Sequence, residues 1–325
     1  MIPTTIRFGS RSSDVARWQA ILGVVADGAF GHVTAAATRS WQAARGLTVD
    51  GVVGPMTWAI ALATSPTKEP AMHQTITADE FIIGGRAVKA PEGLEVLNWT
   101  NGGTAVPRLV SGGTRTQVTE LILHETCDNP GAADTLATLK KRGLSVALIV
   151  DAFGRVTQHA DLLSDVTQHA GSHNGRSIGI EVDNPYYPSW NRRPDVWPDV
   201  IPAPWAHAET GKRGRYVVPT LASMETTCTL TRWLTSEEAP VGISITRNWI
   251  GRRGTKFALG LVSGAEKPAP GIYAHHYFAH ADAACLALYC FLRIELGFAP
   301  VEARGEVIRL ATGAVGAVTL PEART

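Results

Sequence analysis

Two spacings of apolar residues divide this chain. Near its start, Val15, Trp18 and Leu22 follow the three- and four-residue step of a helix, with the polar Gln19 beside them. Thr34 to Arg45 is a second helix, with Ala35, Ala37, Thr38 and Trp41 available for its buried side. Pro55 opens a third and carries Trp58, the first turn being where proline is best tolerated. A turn of the form D-G-x-[FV]-G precedes each of the last two helices: residues 27–31 and residues 50–54, 23 residues apart. Asp-Gly supplies local hydrogen bonding and a positive φ. Residues 1–64 therefore predict a small all-α unit of three helices with two similar loops, its tryptophans in the core. Residues 65–76 (SPTKEPAMHQTI) lack periodicity and read as a linker.

From residue 77 the spacing shortens and alternates with helical stretches. Leu121-Ile122-Leu123-His124 is a short apolar run ending in a polar residue, hence a buried strand. Ala132 to Arg142 is a helix, stopped by Gly143. Val146–Asp151 and Arg155–Gln158 form strands across the Phe153-Gly154 turn, Ser177–Val182 forms another, and Ala283–Leu296 a closing helix. The pattern predicts an α/β domain over residues 77–300, with a central mixed sheet and flanking helices. Residues 185–271 read as an insertion rich in aromatic residues and proline, with one helix at Leu221–Leu234 and little else regular. Its aromatics either anchor it to the core or stack on sugar faces, and anchoring is the commoner use. Residues 301–325, rich in alanine and glycine, form a C-terminal extension that is a packed arm or a loose tail.

Composition narrows the function classes. The 325 residues are 45% apolar, enough for a sizeable core, and carry a formal net charge of +1, which argues against nucleic acid as the main partner. The longest apolar run is about ten residues, too short to insert in a bilayer. Four cysteines do not make a disulfide scaffold at this length. The start, MIPTTIRFGS, shows no secretory signal. A monomer is expected.

The ten histidines are unevenly placed. His124 ends a strand, His169 and His173 precede another, and His275, His276 and His280 cluster beside Asp282 before the closing helix. Histidines and carboxylates gathered at strand ends from distant segments suit a catalytic zinc, which takes three protein ligands and keeps one open position. Ile122 and His124 share one face of their strand; Gly179 and Glu181 share one face of theirs. Glu125 points away from His124 and is a poor base. Position 128 is Asp128, so the helix-borne H-E-x-x-H pattern is excluded.

Two resemblances sharpen this reading. Gly9-Ser10-Arg11, Val15, Trp18-Gln19 and Leu22, followed by DGAFG, WQAARGL and VDGVVGPMTW, look like the type 1 peptidoglycan-binding domain. LILHET (121–126), GLSVALIVDAFGRVTQH (143–159), HAG (169–171), N-x-x-SIGIEVDN (174–184) and AHHYFAHAD (274–282) resemble the type 2 N-acetylmuramoyl-L-alanine amidases, which share a fold with peptidoglycan recognition proteins. The second resemblance implies zinc held by His124, His275 and Asp282. His276 is the rival of His275; Cys285 is a fallback ligand, though it falls inside the closing helix. Asp282 also sits where a helix N-cap is expected. His280 takes the place of the family's catalytic lysine, two residues before the third ligand, or is itself that ligand while Asp282 only caps. Glu181 is the implied general base; the usual tyrosine of the earlier strand is replaced by Ser145-Val146-Ala147. His169 and Asn174 are implied to face substrate or to satisfy loop hydrogen bonds, and His173 fits that role less well. The implied activity is hydrolysis of the bond between N-acetylmuramic acid and L-alanine in peptidoglycan; the competing expectations are a receptor that binds without cutting and a stem-peptide peptidase. A wall anchor, a wall-cutting site and no export signal together suggest a phage endolysin, held in the host cytoplasm until released.

Overall fold

The computed structural model describes residues 4–22, 24, 28–43, 47–55, 57–58, 61, 79–110, 112–126, 131–206, 213–279 and 282–324. The chain forms two compact units, residues 1–75 and 76–325. The expected linker, 65–76, lies outside the described residues, as does His280.

In the first unit, α1 (Ser13–Leu22) and α2 (His32–Ala43) are followed by helical backbone at Pro55, Thr57, Trp58 and Ala61. The two turns are built alike. Gly28 and Gly51 have φ of 73° and 72°. Gly28 donates its N–H to the Gln19 side chain, and Gly51 donates to Gln42, again 23 residues on. Each glutamine returns a bond to the far side of its turn, at the carbonyls of Ala29 and Val52. Each follows a tryptophan, and Trp18 packs edge-on against both Trp41 and Trp58 in the unit's core.

The second unit is a six-stranded mixed sheet with helices packed on it. Its strands are β3 (Val96–Asn98), β4 (Glu120–Thr126), β5 (Leu148–Val150), β6 (Val156–Gln158), β7 (Ser177–Asp183) and β12 (Gly271–Ala274), in the order β12-β4-β7-β5-β6-β3. All pairs are parallel except β5 with β6, which turn back on each other at Gly154. β4 and β7 are interior neighbours in the sheet and are buried along their whole length, as parallel strands covered on both faces should be. A preceding hairpin pairs β1 (Glu80–Ile83) with β2 (Arg86–Lys89). Helix α3 (Ala132–Lys141) ends at Gly143, whose φ is 67°.

The insertion is more regular than its composition suggests. Besides α4 (Leu221–Leu234), it holds a hairpin of β8 (Val200–Ala206) and β9 (Arg213–Val217), and a short pair, β10 (Arg252–Arg253) with β11 (Lys256–Ala258). β8 carries prolines at 202 and 204 in a two-stranded ribbon, where fewer backbone donors are needed. Trp197, Trp205, Tyr216 and Trp249 are buried, so most of its aromatics anchor it, while Trp190 stays 42% exposed. The C-terminal extension is a packed arm. After α5 (Ala284–Ile294), α6 (Pro300–Gly313) buries Ala303, Val307 and Ala311 in the main core, and β13 (Ala317–Thr319) pairs with β11. Small residues let α6 approach closely, which is why its alanines resembled a tail.

Candidate metal centre and its cavity

The C-terminal end of the central strands opens into a cavity of about 740 Å³. His124, near the end of β4, points into it, and its register partner on β7 is Glu181. Parallel neighbours in register stand side by side on one face of the sheet. His275 begins a short 3-10 turn directly after β12, the strand on the other side of β4. Asp282 arrives from the loop before α5. His124, His275 and Asp282 each offer one ligand atom, and these atoms all lie within 4.8 Å of one another. The Asp282 carboxylate is 3.1 Å from His275 Nδ1.

His276, the rival, turns the other way and packs on Trp205. Cys285 is buried inside α5, where burial pushes its thiol well up. The capping expectation for Asp282 is corrected: the N-cap of α5 is Ala283, with no side-chain cap, and Asp282 is directed at His275 instead. Ala283 has φ 56°, so the chain turns sharply there and carries the Asp282 carboxylate away from the helix end.

His169 fixes the state of His124. Its Nδ1 lies 2.9 Å from His124 Nε2, and its Nε2 lies 3.0 Å from Ser177 Oγ. Ser177 spends its proton on the His173 carbonyl, so His169 Nε2–H must donate to Ser177. That leaves His169 Nδ1 to accept from His124 Nε2–H, and places the lone pair of His124 on Nδ1. Burial, then the nearby His275 and Arg115, push His169 down to about 3, which keeps it neutral as this scheme requires. Gly179 does leave room on its strand, and His169 fills it: a Cβ at 179 would sit 2.6 Å from His169 Nδ1. Asn174 also lines the cavity, but its side-chain oxygen accepts the N–H groups of His169 and Ala170, a loop-bracing role. His173 is buried and paired with Glu120 at 2.7 Å, away from the cavity.

Glu125, the next residue of β4, also lines the cavity and is buried; Tyr216 OH donates to it at 2.6 Å and Ala283 N–H at 2.9 Å. Burial pushes its carboxyl up to about 8 despite those donors. Tyr186 and Trp190 add aromatic surface to the cavity wall, and Arg142 adds a cation. Of these, only the aromatics carried a signal in the sequence; the partnership of Glu125 with Tyr216 joins residues 91 positions apart.

Two imidazoles and one carboxylate line the cavity, a nitrogen and oxygen donor set of the kind that holds a divalent metal. Fold and site together define a mixed α/β domain with a three-residue candidate metal centre at its strand ends. The chain belongs to the N-acetylmuramoyl-L-alanine amidase family Amidase_2, which residues 114–290 match; residues 17–60 match the PG_binding_1 peptidoglycan binding domain. Among solved structures, the chain is similar to a peptidoglycan-binding protein of Clostridioides difficile in complex with glutamine hydroxamate, at 35% identity over 18% of this chain and 40% of that one, TM-score 0.18. It thus spans about two fifths of that protein's length. It is also similar to the N-acetylmuramoyl-L-alanine amidase LysC of Clostridium intestinale (12% identity, 55% and 81% of the two chains, TM-score 0.31). The Staphylococcus aureus hydrolase AmiA, solved with its ligand, matches at 11% identity over 70% and 88% of the two chains, TM-score 0.32. No curated protein matches.

Proposed function

We propose that this protein is a zinc-dependent N-acetylmuramoyl-L-alanine amidase that cuts the amide bond between N-acetylmuramic acid and L-alanine in peptidoglycan, with residues 1–64 as its wall anchor. The observation that carries the reading is the convergence of His124, His275 and Asp282 beside Glu181, inside the stretch that matches the amidase family.

In this reading His124, through Nδ1, His275 and Asp282 hold the zinc. Bound there, zinc supplies Lewis-acid polarisation of the scissile carbonyl and acidifies water to near neutrality. The chain's own residues do the rest. Glu181, in register with His124, takes the proton of the attacking water on its carboxylate and returns it to the departing amine of L-alanine. His169 keeps the His124 ring in one tautomer and one orientation. His280, when protonated, donates to the oxyanion in place of a lysine. The wall anchor keeps the site near a polymeric substrate, raising its local concentration to roughly millimolar. An anchor joined to an amidase suits wall lysis of the endolysin kind.

Purified sacculi digested with zinc-loaded protein test the proposal. Mass spectrometry should find stem peptides with a free L-alanine amino terminus, and a chelator should abolish their release. Peptides cut within the stem would convert the reading to a peptidase. Wall binding without any release would convert it to a receptor.

A further inference from the structure

The insertion reaches the ligand-bearing loop at both ends, once directly through Trp205 and once through Glu125 of β4. Residues 275–283 carry His275 and Asp282 between β12 and α5. At the start of this loop, Trp205 of β8 packs against His276, ring centroids 4.9 Å apart. At its end, Tyr216 of β9 donates to Glu125, and the other oxygen of Glu125 accepts from Ala283 N–H. Trp205 and Tyr216 also pack edge-on against each other, at 5.2 Å. One hairpin therefore braces the loop twice.

The brace falls where the backbone needs it. Ala283 is the one non-glycine residue with a positive φ among the described residues, a conformation that L-residues with a side chain disfavour. The residue before it is Asp282. If Ala283 relaxes to an ordinary helical or extended φ, the Asp282 carboxylate swings off His275. Glu125 is also the neighbour of His124 on β4, and its carboxylate accepts from Tyr216 of the hairpin. The strand that presents one ligand thus holds the turn that presents another.

We propose that the β8–β9 hairpin of the insertion is a strut for the metal centre, in which Tyr216 and Glu125 act as positioning residues that fix Asp282 through the Ala283 amide. The inference rests on the metal reading given above but concerns a part of the chain that the reading does not use. It assigns the hairpin a role in metal affinity, and gives the buried Glu125–Tyr216 pair a structural purpose.

The test is made on the full chain. Zinc affinity of wild type, Tyr216→Phe and Glu125→Gln is measured by competition with a chromophoric chelator, alongside thermal melting. Tyr216→Phe should stay folded and bind zinc about tenfold more weakly. Adding Ala283→Gly to Tyr216→Phe should recover part of that loss, since glycine takes this φ without strain. A second readout needs no metal: amide hydrogen exchange at residues 282–284 should quicken in Tyr216→Phe while exchange in β5 and β7 is unchanged. A folded Tyr216→Phe with wild-type zinc affinity and wild-type exchange at these amides overturns the strut. A wild-type protein that binds no zinc overturns the metal reading instead, and the exchange data then decide the strut alone.

Discussion

At the residue scale, the site depends on groups that touch no substrate. Gly179 is required by the ring above it: a methyl group there would meet His169 Nδ1 at 2.6 Å, with two more ring atoms within 3.0 Å. Gly179→Ala should displace His169, release the tautomer of His124 and weaken zinc binding by about tenfold or more, the usual consequence of losing the partner of a ligating histidine. Chelator competition on the folded variant measures it. His159 sits elsewhere, wholly buried, with Nδ1–H donating to the Pro107 carbonyl and Nε2 accepting from Thr157. Burial pushes it from 6.5 down to about 4. The folded protein therefore resists protonation that the unfolded chain accepts. Stability from this residue is fully present above pH 6.5, is lost as pH falls towards 4, and falls no further below that. The span is at most about 3 kcal/mol. His159→Asn, which keeps the donor, should flatten the acid limb of the stability curve between pH 6.5 and 4 in denaturant titrations.

At the element scale, legibility follows the range of the forces that make each element. Strands β4 and β7 and helices α3 and α4 were readable within two residues or so, because a run of apolar residues and a local stop such as Gly143 carry their own signal. Hairpin β8–β9 was not, because its reason for existing is the distant Glu125, Asn184 and His276. The same divide runs through the site: the strand phases of His124 and Glu181 could be read from alternation, whereas the turn at Ala283 that aims Asp282 has no local glycine to announce it. Helix α4 illustrates a local rule holding inside the irregular insertion. Its N-cap, Thr220, accepts from Ser223 N–H and donates to the Ala152 carbonyl at 2.6 Å, tying the helix start to the turn after β5. Thr220→Ala loses both bonds and should cost about 1–2 kcal/mol. Equilibrium urea unfolding reads the loss, and the slope with denaturant should not change.

At the scale of the whole molecule, each unit closes its own core. The tryptophan core of the first unit draws only on residues between Ile6 and Ala61, and the large core of the second begins at Phe81. Among the described residues, each cluster draws on its own unit. Two separate unfolding transitions are therefore expected in calorimetry. Zinc, held as proposed by His124, His275 and Asp282 of the second unit, should raise one of them and leave the other in place. At a free concentration 1,000 times its dissociation constant, the added stability is about 4 kcal/mol. The same separation makes the anchor testable. Removing residues 1–75 takes away one core without opening the other, so cleavage of a small soluble muropeptide should stay within about twofold of the full chain. Cleavage of intact sacculi should fall by tenfold or more, because the site then meets its bond only at bulk concentration. If both substrates lost activity together, the first unit would be acting on the catalytic unit itself rather than on the wall. If neither did, the wall would be reached through the cavity and its aromatic rim alone, at Tyr186 and Trp190.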